Sequence, residues 1–115
     1  MVNPIPIRCN FELIQAITKI LEDANQMANL PDVRIETIVL AEYYKIWFKK
    51  MVGYGFSQST PAKGVLIQLP LSIAKILHYR LQHIKTNSAN QQVLLLLDQE
   101  LVNRKLKPAF QKLLV

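Results

Sequence analysis

The sequence predicts an all-α protein, a compact four- to five-helix bundle forming a single helical domain over residues 1–115. Three observations lead there. Apolar residues recur at three- and four-residue spacing along most of the chain. Only three glycines occur, at positions 53, 55 and 64. The 115 residues, half of them apolar, suit one hydrophobic core and leave no room for a second. The chain reads without an internal repeat or a low-complexity tract.

The first helix is the clearest. Asn10 is placed to cap it, and Leu13, Ile14, Ile17, Ile20, Leu21 and Ala24 draw one apolar stripe over about five turns. The segment NLPD, residues 29–32, breaks the pattern: Pro31 ends one helix and suits the first turn of the next, with Asp32 near the positive end of the new dipole. A second helix then spans roughly residues 32–52. Its apolar face is read as Ile35, Ile38, Val39, Tyr43, Ile46 and Trp47, and Gly53 stands where helices commonly stop.

The stretch GYGFSQSTPAKG, residues 53–64, is the one long turn-rich connection, with Thr60 and Pro61 placed as an N-cap and first helical residue. Pro70 interrupts VLIQLPLSIAKIL, so this region reads as a short helix, a kink, and a regular helix to about Thr86. An extended piece at 65–69 is the alternative. Ser88 and Gln91 have the spacing of a capping box opening the fourth helix, which runs to about Leu106. Pro108 can open a short terminal helix through Val115.

Composition narrows the function classes. A lone cysteine, Cys9, forms no internal disulfide, and no secretion signal is evident near the start, so a cytoplasmic protein is expected. The longest apolar run, Val93 to Leu97, falls far short of the roughly 20 residues a membrane-spanning helix needs. The lysines are spread over several helices instead of one amphipathic segment, which argues against a membrane-surface role. The apolar share is high for a chain this small, which favours other protein subunits or self-association as partners.

The candidates for chemistry are thin. His78 and His83 lie about 140° apart on a helix and do not share a metal from one face; Cys9 sits in an expected loop. GYG at 53–55 is too short for a phosphate cradle and reads as a helix end and a turn. Pairs such as Glu36 with Lys45 or Glu42 with Lys49 are more simply a solvated helix surface. No catalytic residue, metal or cofactor is assigned, and an enzyme is not expected.

Charge is the informative feature. The net charge is +6. Residues 1–42 carry three basic and six acidic groups, whereas seven basic residues and no carboxylate lie between Tyr43 and Leu97. Such asymmetry suits a protein that meets an anionic partner on one side. The candidate phosphate contacts are Lys45, Lys49, Lys50, Lys63, Lys75, Arg80 and Lys85, extended by Arg104, Lys105 and Lys107 if the fourth helix returns beside the third. Lys75, His78, Gln82 and Lys85 draw a polar stripe opposite Ile73, Ile76, Leu77 and Ile84. Tyr43 and Trp47 read as core; Tyr44, Phe48, Tyr54 and Phe56 read either as packing and protein-contact residues or as stacking platforms for bases. No helix-turn-helix, zinc finger or RNA-recognition motif is present, so no sequence reader is expected.

A short, basic, helical chain with a lysine-rich middle, as in YYKIWFKK and IAKILHYRLQHIK, resembles the small subunits of multi-subunit CRISPR effector complexes. The resemblance implies a non-catalytic subunit of a ribonucleoprotein whose lysines grip the nucleic-acid backbone without sequence specificity. The other class compatible with the residues is an oligomerising helical adaptor or assembly factor whose basic face meets an acidic protein.

Overall fold

The computed structural model describes residues 3–52, 64–84 and 87–103. It is mostly helical, yet not purely so. The order is β1 (Ile5–Cys9), α1 (Phe11–Met27), α2 (Ile35–Val52), β2 (Val65–Leu69), α3 (Leu71–His83) and α4 (Ser88–Asn103). The all-α expectation therefore gives way to four helices carrying a two-stranded antiparallel ribbon.

The strands explain themselves once their burial is seen. Ile5, Ile7 and Cys9 point into the core from β1, and Ile67 and Leu69 do so from β2, while the intervening side chains face outward. This is the period-two alternation of a half-buried strand. Pro6 is tolerated because β1 has a neighbour on one edge only. Pro70 does not kink a helix: with φ −55° and ψ 146° it ends β2 and immediately precedes α3. The extended alternative at 65–69 is the conformation found, and Cys9 belongs to β1 and the core instead of a loop.

The first helix agrees with its reading. Asn10 Oδ1 accepts a hydrogen bond from Leu13 N at 2.9 Å, and the six expected stripe residues are its buried ones. The second helix departs from it. It begins at Ile35, after turns through Leu30 and Val33, and buries Thr37, Leu40, Ala41, Tyr43, Trp47 and Met51. Ile35 and Ile46 are instead exposed. Apolar residues occur on every face of this helix, so spacing alone does not select one. In α3, His78 turns inward with Ile73, Ala74, Leu77 and Leu81. In α4 the cap is Asn87, whose Oδ1 accepts from Asn90 N at 2.8 Å, one residue before the expected Ser88. Gly53, Thr60, Pro61, Tyr54, Phe56 and the expected helix beyond Pro108 lie outside the described residues.

The architecture is a duplicated unit, contrary to the expectation of no repeat. Strand, helix, helix occurs twice, and the strand register is symmetric. Ile7 pairs with Ile67, 60 positions on, and the pairs Ile5↔Leu69 and Cys9↔Val65 exchange under that same shift. Buried α1 residues Leu13, Ile14, Ile17 and Leu21 match Ile73, Ala74, Leu77 and Leu81 of α3 at the same spacing. In the second helices the buried steps Tyr43, Trp47, Met51 and Val93, Leu97, Leu101 correspond. Helix packing follows suit, with α1 on α2, α3 on α4, and the halves meeting through α1 with α4 and α2 with α3, whereas the packing of α4 on β1 has no comparable counterpart between α2 and β2 among the described residues.

Each half carries a polar tie that starts from the same place on its first helix. Trp47 Nε1 donates to Thr18 Oγ1 at 2.8 Å, and that hydroxyl donates to the Ile14 carbonyl at 2.7 Å. At the equivalent position in α3, His78 Nε2 lies 3.0 Å from Asp98 Oδ1. Tyr43 is the exception: its buried hydroxyl has no partner among the described residues.

Two stability outcomes follow. Gly64 has φ +80°, and an added Cβ would lie 2.8 Å from the Cys9 carbonyl oxygen, so Gly64→Ala is expected to cost about 1–3 kcal/mol in urea unfolding. Tyr43→Phe should leave stability unchanged or raise it by up to about 1 kcal/mol, because it deletes an unsatisfied buried hydroxyl while keeping the ring. Thermal and urea melts of the two variants check both.

Candidate nucleic-acid interface

The ribbon has two unlike faces. Its inner face roofs the core, with α1 and α4 packed against β1. Its outer face is left uncovered by the described residues and carries Pro6 and Arg8 from β1 and Leu66 and Gln68 from β2. The register sets Pro6 opposite Gln68 and Arg8 opposite Leu66, a two-by-two array. Arg8, Leu66 and Gln68 are exposed and Pro6 is half-buried. Neither strand contains a carboxylate. Arg8 Nη1 makes a long, 3.4 Å contact with the Gly64 carbonyl oxygen, which engages one nitrogen of the guanidinium and holds its base beside β2.

Of the expected basic residues that are described, Lys50 is the one seen beside this face. Lys50 lines a shallow depression with Pro4, Gln68, Pro70 and Leu71, so it stands at the ribbon's margin. Lys45 and Lys49 are exposed one turn apart on α2, and Lys75 is exposed on α3. Arg80 is half-buried, its Nη2 donating to Thr37 Oγ1 at 2.7 Å, which joins α3 to α2 across the two halves. His78, expected on the polar stripe, is buried against Asp98. Lys63, Lys85, Arg104, Lys105 and Lys107 lie outside the described residues. Those described carry eight basic and eight acidic side chains, so the net positive charge of the chain belongs to residues 53–63, 85–86 and 104–115.

The aromatic residues of α2 divide as well. Tyr43 and Trp47 are buried with ring centroids 6.5 Å apart; Tyr44 is half-buried and Phe48 exposed, with centroids 6.0 Å apart. Among the described residues no three His, Cys, Asp or Glu side chains converge to hold a metal ion, and no helix is long and apolar enough to cross a membrane.

Arg8, Leu66 and Gln68 were not among the residues expected from sequence. The available signal was the similarity of IPIRCN and LIQLP: each alternates apolar and outward residues and then passes into a helix. Comparison with family models, with curated proteins and with solved structures finds no match.

Cys9, at the end of β1, is fully buried, and desolvation pushes its thiol pKa from 9.0 up to about 12. Burial disfavours the thiolate, so the thiol is not a nucleophile in the folded state. The folded chain holds this proton more tightly than the unfolded chain. Stability is therefore fully present below pH 9 and lost as pH rises from 9 towards 12, by up to about 1.4 kcal/mol per pH unit. Cys9→Ala should flatten that alkaline slope in urea titrations, and native Cys9 should react with a disulfide reagent at neutral pH only at the rate of unfolding.

Proposed function

We propose that this chain binds double-stranded DNA by laying its two-stranded ribbon in the major groove, where Arg8, Gln68 and Leu66 meet base edges. The observation that carries the reading is the exposed outer face of the ribbon, half polar and free of carboxylates, on strands whose inner face is fixed to the core. The major groove, about 12 Å wide, admits a two-stranded β-ribbon, and such ribbons are a known means of reading it. Arginine matches the O6 and N7 acceptors of guanine, glutamine matches N6 and N7 of adenine, and an aliphatic side chain suits the thymine methyl. The ribbon is rigid enough for the task because five of its side chains are locked into the core.

The lysines take a second role in this reading. Lys50 at the margin, with Lys45, Lys49 and Lys75, supplies phosphate contacts that position the ribbon but carry no base information. Residues 53–63, 85–86 and 104–115 add the excess positive charge that gives affinity and its salt dependence. The protein is non-catalytic in this role.

A backbone-gripping ribonucleoprotein subunit, as the resemblance to small CRISPR subunits implies, would use the same lysines and leave Arg8 and Gln68 without a task. An adaptor for an acidic protein would need a more apolar outer face, since interface centres are depleted in charge and rich in aromatic side chains. The ribbon offers Leu66 and part of Pro6.

Fluorescence anisotropy with generic and pool-selected duplexes and with single strands, at two salt concentrations, tests the proposal. Duplex is expected to bind more tightly than single strand. Lys50→Ala should weaken all duplexes alike and lower the logarithmic salt slope by about 1. Arg8→Ala should cost about 1–3 kcal/mol on a selected duplex and far less on a generic one. Equal loss on both, or a preference for single strands, would overturn base reading by the ribbon.

A further inference from the structure

Resting on the ribbon-in-groove reading, we infer that the chain reads an asymmetric DNA site as a single copy, one half selecting guanine and the other adenine. The two-fold relation that a dimer obtains from two copies is built into this chain, because β1 and β2 pair within it and Ile7 faces Ile67 across the local axis. A symmetric dimer presents identical residues to both half-sites, and its operator is correspondingly palindromic. Here the inward positions match across the axis while the outward ones do not. Arg8 corresponds to Gln68 and Pro6 to Leu66. The guanidinium and the carboxamide therefore occupy equivalent corners of the outer array with different base preferences.

The array also sets a spacing. Equivalent corners are separated by two residues along a strand and one strand across, about 7 Å by about 5 Å, or roughly 8 Å on the diagonal. At 3.4 Å per base step that is about two to three base pairs between the two backbone positions. Leu66 lies directly opposite Arg8, so the thymine-methyl contact belongs beside the guanine end. Gln68 is paired with Pro6, which has no reading group, so the adenine end depends on the carboxamide.

Selection from a randomised duplex pool with the full chain, followed by sedimentation on the selected duplex, tests the inference. The expected motif is non-palindromic, with guanine and adenine preferred about 10- to 100-fold at two positions a few base pairs apart, and one chain binds per site. Arg8→Gln should give a near-palindromic adenine motif, and Gln68→Arg a near-palindromic guanine motif. Both residues are exposed, so circular dichroism should show these variants folded. A palindromic wild-type motif, two chains per minimal site, or a motif unmoved by both substitutions overturns the inference while leaving DNA binding intact. Failure to bind any duplex overturns the ribbon reading itself.

Discussion

The rest of the structure depends on the pairing of five residues near the start of the chain with five that lie 60 positions further on. That pairing closes a long loop, so its entropic cost must be met by what it brings together. Ile5, Ile7 and Cys9 from one strand and Ile67 and Leu69 from the other form a roof that neither strand builds alone. A two-stranded sheet in water is marginal without such backing. The inner faces bury themselves on the helices, and the helices acquire a common reference plane. Gly64 shows how tight the closure is, since its left-handed backbone brings the entry to β2 within 2.8 Å of the Cys9 carbonyl for any added Cβ.

Symmetry in the register propagates into the helices. A strand followed at once by a helix fixes where that helix begins, and α1 and α3 each start two residues after their strand ends. Each first helix then holds a second one across a polar tie, Thr18 with Trp47 in one half and His78 with Asp98 in the other. The ties share their place on the first helix but not on the second, where Asp98 follows Leu97, the counterpart of Trp47. A buried indole N–H needs an acceptor and finds a hydroxyl; a buried imidazole finds a carboxylate. Arg80 and Thr37 add a link between the halves, which removes Arg80 from the set of freely exposed cations.

How far the sequence disclosed this varied with the element. The first helix was legible to the residue, because its apolar stripe is flanked by polar faces and Asn10 supplies an unambiguous cap. The second helix was legible as a helix but not in its facing: with Ile35, Ile46 and Phe48 also apolar, the buried row is chosen by tertiary packing. The first strand was hidden by its proline and its brevity, and the second stood only as the extended alternative at 65–69, since Pro6 and Pro70 argue against regular structure unless the strand lies at an edge or ends there. The duplication was hidden because it conserves apolar character and not identity, as in Ile14 and Ala74 or Trp47 and Leu97. The lysine-rich middle was visible as charge. The outer ribbon was not, for Arg8 lies in the acidic first third of the chain and Gln68 carries no charge.

This division between matching inward residues and unlike outward ones is what a single-chain pair of halves permits. In a dimer of identical copies, any change on the ribbon's outer face appears twice, so both half-sites must follow it. In one chain the two corners change separately. The core tolerates substitutions that keep apolar volume and register, and Val65 can stand where the other strand has Ile5 without moving the pairing. The outer side chains are under no such packing constraint and can take unrelated chemistry, a guanidinium at one corner and a carboxamide at the other. Covalent fusion thus separates what holds the ribbon in place from what the ribbon presents. Under the proposal that the ribbon enters the major groove, a direction along the DNA would arise from the second alone, with no change in the fold.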